Sequence, residues 1–317
     1  MNSRTLKARA NAALQQASYD PKKLFFLYGA VSLGLGLLIA VLDMVLTNSI
    51  AETGGLAGLQ TRAILTTAQS VLQLISAVAL PFLQFGMIYG SLRLIRQERA
   101  DFGTLTEGFR RFGPVLRLLL SKGILFMAVL TACSYVSSMA FILTPLSSNF
   151  VELLTPIVES GDMAAIEEML YDEATLQQLM PAMAGFFAIF LALTGLICIP
   201  LGYRMSMADF AVMDDNGVGG FAAIRQSFRL TKGSCMQLFR LDLSFWWFYG
   251  LNLVAGLLFS MDMLLSAAGV ALPVSDQTAY WICYSVYIVA QLALITLAVP
   301  KVQTTYAAAY QTLKEKA

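Results

Sequence analysis

The chain has 317 residues, 57% of them apolar and 13% charged, with a net charge of +1 and no histidine. A soluble domain carries about 25% charged residues, so the composition excludes a soluble globular protein and points to one embedded in a membrane. The missing histidine excludes Ser-His and Cys-His catalysis and histidine metal sites.

Six stretches hold the ~20 mostly apolar residues that a crossing needs, at 24–47, 65–95, 115–144, 182–211, 240–269 and 279–309. The expected fold is all-α, a polytopic membrane bundle of six transmembrane helices with cytoplasmic interfacial amphipathic helices. The first stretch is too long for the apolar region of a signal peptide, and no small-residue cleavage site follows it. It therefore reads as an uncleaved first span. With the N-terminus inside, every lysine and arginine except Arg62 falls on the cytoplasmic side or just within it. That asymmetry is the positive-inside rule. It predicts a multi-pass protein of the bacterial plasma membrane with both termini cytoplasmic.

Each outgoing span follows an amphipathic segment. Before the first, Leu6, Ala10, Ala13, Leu14 and Ala17 form an apolar stripe beside basic residues. Before the third, "FGTLTEGFRRFGP" puts Phe102, Leu105, Phe109 and Phe112 on one face, and Thr104 with Glu107 has capping-box spacing. Before the fifth, Phe221, Ile224 and Phe228 share one side of a helix, and Arg225, Arg229 and Lys232 another. Gly233 is the expected stop. The returning spans carry Pro81, Pro200 and Pro300, each followed by a tyrosine, at Tyr89, Tyr203 and Tyr306. Proline removes a backbone hydrogen bond and kinks a helix. This order suggests a possible threefold repeat of helix hairpins, with units 1–100, 101–215 and 216–317 inside a single membrane domain.

The largest outer segment, 147–180, is an acidic extracytoplasmic insertion without lysine or arginine. Helical spacing at Ile166, Met169 and Leu170 predicts short amphipathic helices there. It reads as a solvated cap, or else as a face for a cation or a partner. Cys133, Cys198, Cys235 and Cys283 lie in or beside spans, which argues against structural disulfides. Asp214 and Asp215 read as a helix-capping turn rather than a metal motif. No cofactor or metal is expected.

Counting ~20 residues from Met183 puts the inner membrane face near Tyr203. Arg204 then snorkels to phosphates, and the apolar residues after Asp209 need a surface that is not lipid. The helix at 219–232 is the nearest candidate. Arg110, Arg111, Arg204, Arg225, Arg229, Lys232 and Arg240 are candidate contacts for anionic headgroups, each attracted by about 1 kcal/mol. Asp209 and Asp242 are acids in a basic layer, expected to pair with Arg204, Arg225 or Arg229.

The stretch from Tyr203 to Phe248 carries Tyr203, Asp215–Asn216, Ser227, Lys232–Gly233, Leu238–Phe239, Leu243–Ser244–Phe245 and Trp246. In this order it resembles the bacterial membrane proteins grouped as domain of unknown function 975. Gly217 stands where proline is usual in that pattern, and "GFRRFG" (Gly108–Gly113) is also similar. The resemblance covers most of residues 85–310 and implies a multi-span membrane protein without an established activity. The residues themselves offer no active site and no nucleic-acid motif. They suggest a non-enzymatic, lipid-associated scaffold or membrane assembly factor, with lipids and unknown membrane proteins as partners. The alternative is a transporter or channel for a small or amphipathic solute, through a polar path at Gln73, Asn252 and Gln291.

Overall fold

In a computed structural model the described residues are 2–52, 56–160, 173–215, 217–261, 263–264 and 275–316. Every regular element among them is helical: α1 Ser3–Gln15, α2 Pro21–Glu52, α3 Leu56–Ile95, a 3-10 helix Phe102–Thr106, α4 Glu107–Arg110, α5 Phe112–Ile142, α6 Pro145–Ser160, α7 Glu173–Met205, α8 Ala208–Asp214, α9 Gly220–Leu230, α10 Cys235–Leu243, α11 Trp246–Phe259, α12 Asp276–Leu297 and α13 Val299–Lys314. Five helical stretches are long and apolar enough to cross a membrane: Pro21–Leu46, Arg62–Ile95, Phe112–Ile142, Leu179–Asp214 and Gln277–Lys314. The pair α10 and α11, bent by 57°, makes a sixth if it counts as one span. Only 6% to 33% of the most apolar part of each of the five is buried inside the protein. Leu38, Leu74, Ile124, Leu191 and Val289 are among the large apolar side chains left exposed. Surface of that extent needs lipid over it, and the molecule is a multi-pass membrane protein.

The chain forms two compact units. Residues 119–205 make one. In it α6 packs on α7, and the Phe141 ring meets Phe150 and Phe186 edge-on, with centroids 6.1 and 5.9 Å away. The acidic insertion begins in α6, but Ile166, Met169 and Leu170 lie outside the described residues.

Residues Met1–Leu118 with Ser206–Ala317 make the other unit. Here α2 packs on α3 and α12, α11 packs on α12, and α1 and α13 pack on each other and on α3. Leu6, Ala10 and Ala13 are buried as the stripe on α1 predicts, though against protein rather than lipid. The Phe102–Arg110 segment lies across α3. Its capping box does not form. Thr104 sits inside the 3-10 helix, buried, and donates to the Asp101 carbonyl, while α4 starts only at Glu107. Helix α9 ends as expected, with Gly233 at φ +77°. Pro81 and Pro200 lie inside α3 and α7, and Pro300 instead sits in the first turn of α13, after a break at Ala298. Proline suits that first turn, where its missing N–H goes unused.

The expected span 240–269 is not one straight helix, and its last residues lie outside the described ones. Lys7 of α1 donates to the Ser244 carbonyl at 2.8 Å and sits 4.1 Å above the Phe245 ring. The Phe248 amide bonds Phe245 instead of Ser244, and the Ser244 hydroxyl turns back to Leu241 at 2.5 Å. Burial lowers the pKa of Lys7 from its ordinary value, so the carbonyl and the ring must hold its charge. Lys7→Met keeps the stem and removes the donor. Its expected cost is about 1.5–3 kcal/mol, read as a lower unfolding midpoint of the full chain. A midpoint equal to that of the unaltered protein would show that the break does not depend on α1.

Candidate functional site: a charged layer where three helices end

Beyond Met205 the chain turns once and forms α8, with Phe210, Ala211, Val212 and Met213 all buried. Helix α9 covers α8 as the sequence suggests, and α3 covers it too. The Tyr310 ring of α13 stacks on Phe210 with centroids 5.7 Å apart. The apolar tail of the fourth span is therefore the core of a protein layer at the helix ends.

A helix C-terminus leaves unsatisfied carbonyls and a partial negative charge. Arg111 meets them at α8. Its Nη1 donates to the Met213 carbonyl at 2.6 Å and reaches the Val212 carbonyl at 3.5 Å. Its guanidinium lies 4.9 Å from the Tyr89 ring centroid, and its side chain is 14% exposed. This placement gives Arg111 a capping role, not the headgroup contact expected from sequence.

Asp214 adds a full negative charge at the same helix end, and its side chain is 4% exposed. Arg96, at the end of α3, pairs with one carboxylate oxygen. The other accepts from Lys314 Nζ at 2.6 Å and from the Tyr310 hydroxyl at 3.0 Å. Asp215 makes the expected turn, accepting from the Gly217 amide at 2.9 Å, but Asp214 is an ionic hub. Arg96, Asp214 and Lys314 follow Pro81, Pro200 and Pro300 by fifteen, fourteen and fourteen residues. One ion-pair cluster thus ties together the ends of α3, α8 and α13. Nearby, Arg9 of α1 joins Gln311 at 3.2 Å and Glu315 at 3.6 Å.

The other expected site residues differ in exposure and partners. Arg225, Arg229, Lys232 and Arg240 are exposed, as is Arg204 at the end of α7. Arg110 is 75% exposed and pairs with Glu107 at 2.8 Å. The buried face of α9 is Gly220, Ala223, Ile224, Ser227 and Leu230. Phe221, expected beside Ile224, is instead 75% exposed, one turn from Arg225. Met236 and Phe239 on α10 are exposed in the same way beside Arg240. Asp242 accepts from the Tyr249 hydroxyl at 2.9 Å and from the Tyr306 hydroxyl of α13. Asp209 is half-buried on α8.

A family model described as "Protein of unknown function (DUF975)" matches residues 1–317, the whole chain and more than the 85–310 of the motif resemblance. The chain belongs to that family. No curated protein and no solved structure matches it.

Proposed function

We propose that this DUF975 membrane protein is a non-enzymatic, lipid-associated scaffold or assembly factor of a bacterial plasma membrane, with both termini cytoplasmic. The supporting observation is the outer surface of α9 and α10. Exposed cations (Arg225, Arg229, Arg240) stand there beside exposed apolar groups (Phe221, Met236, Phe239), while the opposite faces are buried. Cation and aromatic side by side suit the headgroup boundary, where each exposed lysine or arginine gains about 1 kcal/mol from anionic lipid. Helix α9 packs on α8, which ends in the ionic cluster. Pairing of Asp209 and Asp242 with Arg204, Arg225 or Arg229, and descent of the three hairpin units from one repeat, belong to the same proposal.

The test uses the full chain in nanodiscs of mixed phosphatidylglycerol and phosphatidylcholine. Native mass spectrometry then counts the lipids that leave with the protein. Anionic lipid should be enriched around the unaltered chain. Substituting glutamine for Arg225, Arg229, Lys232 and Arg240 together should remove most of that enrichment. Equal retention of both lipids by the unaltered chain would refute the reading.

A further inference from the structure

Three cavities adjoin on one flank of the larger unit. The first, about 400 Å³, lies along α11 and α12, lined by Trp247, Leu251, Leu258, Ala290 and Leu294, with Lys301 at its end. It exists because small residues face it: Ala290 and Ala293 of α12, and Ala298 at the break after it, leave the space that leucines would fill. The second, about 470 Å³, shares Leu297 and Lys301 with the first and has a mixed polar and apolar lining. Asn11 and Gln15 of α1 enter it, with Asp20 and Lys22 at the start of α2. The third, again about 400 Å³, shares Lys22 and Thr296 with the second and is apolar, lined by Phe26, Leu27 and Phe102 beside Lys23. The order is apolar slot, mixed pocket with two lysines, apolar slot.

We infer that this groove binds one diacyl anionic phospholipid, its phosphate between Lys22 and Lys301 and one acyl chain in each apolar slot. Among the described residues neither ammonium has a carboxylate partner. Asp20, the one acid lining the pocket, accepts from the Lys22 amide at 3.0 Å and caps α2. That leaves two cations facing one engaged carboxylate, a balance that favours an anion. Pro21 and Lys22 begin the first span, which puts the pocket at headgroup depth with the slots opening towards the hydrocarbon, and Trp247 and Pro300 sit in the first turns of α11 and α13. Phosphate alone would leave both slots empty, and a fatty acid would leave one. A two-chain lipid fills all three spaces. The lipid also touches α1, α2 and α13 at once, so it would pin the N-terminal helix beside the ionic cluster.

This inference rests on the lipid association proposed above and adds a specific site to it. The experiment is native mass spectrometry of the full chain, stripped of loose lipid in mild detergent and titrated with phosphatidylglycerol. One lipid per chain should remain bound when the others have left. Lys22→Gln with Lys301→Gln should weaken that one lipid by about tenfold or more. Ala293→Phe should also expel it, because Ala293 is exposed and a larger side chain enters the slot without moving core atoms. The Arg225, Arg229, Lys232 and Arg240 variant should keep the tight lipid while losing the general enrichment. Retention of the lipid in both groove variants, or equal binding of phosphatidylcholine, would overturn the site while leaving the broader reading standing.

Discussion

Asp214→Ala will lower the unfolding midpoint of the full chain more than any substitution among its ionic partners, and will expose α13 to protease. Removing one member of a buried ion pair costs about 3–5 kcal/mol when the other is left without water. Here Arg96 and Lys314 are 33% and 50% exposed, so both can turn outward. The expected cost is therefore about 2–3 kcal/mol, made of lost charge-assisted bonds and a Tyr310 hydroxyl stranded against Phe210. The order within the cluster is the sharper test. Asp214→Asn keeps size and an acceptor for Tyr310, and should cost less than alanine. Tyr310→Phe keeps the stack on Phe210 and loses one bond, about 1 kcal/mol. Lys314→Ala should cost less than about 1 kcal/mol, as half-exposed pairs do. A Lys314→Ala midpoint as low as that of Asp214→Ala would mean the carboxylate is not the centre.

That cluster shows where sequence reasoning stops. Hydropathy is local, so the crossings at Pro21–Leu46 and Phe112–Ile142 could be read from composition alone. Residues 210–213 were legible by exclusion: apolar groups beyond Arg204 and Asp209 had to meet protein, and they do. The partners of Asp214 come from positions 96, 310 and 314, about a hundred residues away on either side. No spacing rule brings such residues together. One signal was present: an acid fourteen residues after Pro200, where the other two returning helices place Arg96 and Lys314 fifteen and fourteen residues after their prolines. The break at Ser244 was hidden for the same reason. "LSFWW" contains neither proline nor glycine, and the ammonium beside the open carbonyl belongs to α1. At Thr104 the reverse happened. A local capping pattern was present, and burial of the threonine against α3 overrode it. Phe221 differs from expectation because α9 turns its small residues, not its aromatic ring, towards its neighbours. A Cβ on Gly220 would meet the backbone of Arg117 and Leu118 at 2.5 Å.

Gly108→Ala and Gly113→Ala should change stability in opposite directions, although one short motif, "GFRRFG", contains both glycines. A Cβ on Gly108 would overlap the Phe82 carbonyl oxygen and lie 3.3 Å from the Gly86 amide. Gly86 is equally tight, since its own Cβ would overlap the Leu105 carbonyl. The Phe102–Arg110 segment and α3 therefore touch backbone to backbone, and no rotamer change can relieve an added methyl. Alanine at 108 must push α4 off α3. Overpacking costs about 1–3 kcal/mol where side chains can yield, and here they cannot, so the expected loss is about 3 kcal/mol or more. Phe109 and Phe112, stacked on Phe82 at 5.4 and 4.8 Å, would shift with the segment. So would Arg111, which would leave the Met213 carbonyl uncapped and loosen the layer around Asp214. At Gly113 an added Cβ meets nothing within 4 Å, so alanine gains helix propensity of up to about 1 kcal/mol. Unfolding midpoints of the two full-length variants in one detergent decide the matter. If Gly108→Ala yields no folded protein while Gly113→Ala expresses normally, the close approach is still upheld. Equal midpoints for both would show that α4 can leave α3 without consequence, and the link from that motif to the ionic cluster would fall with it.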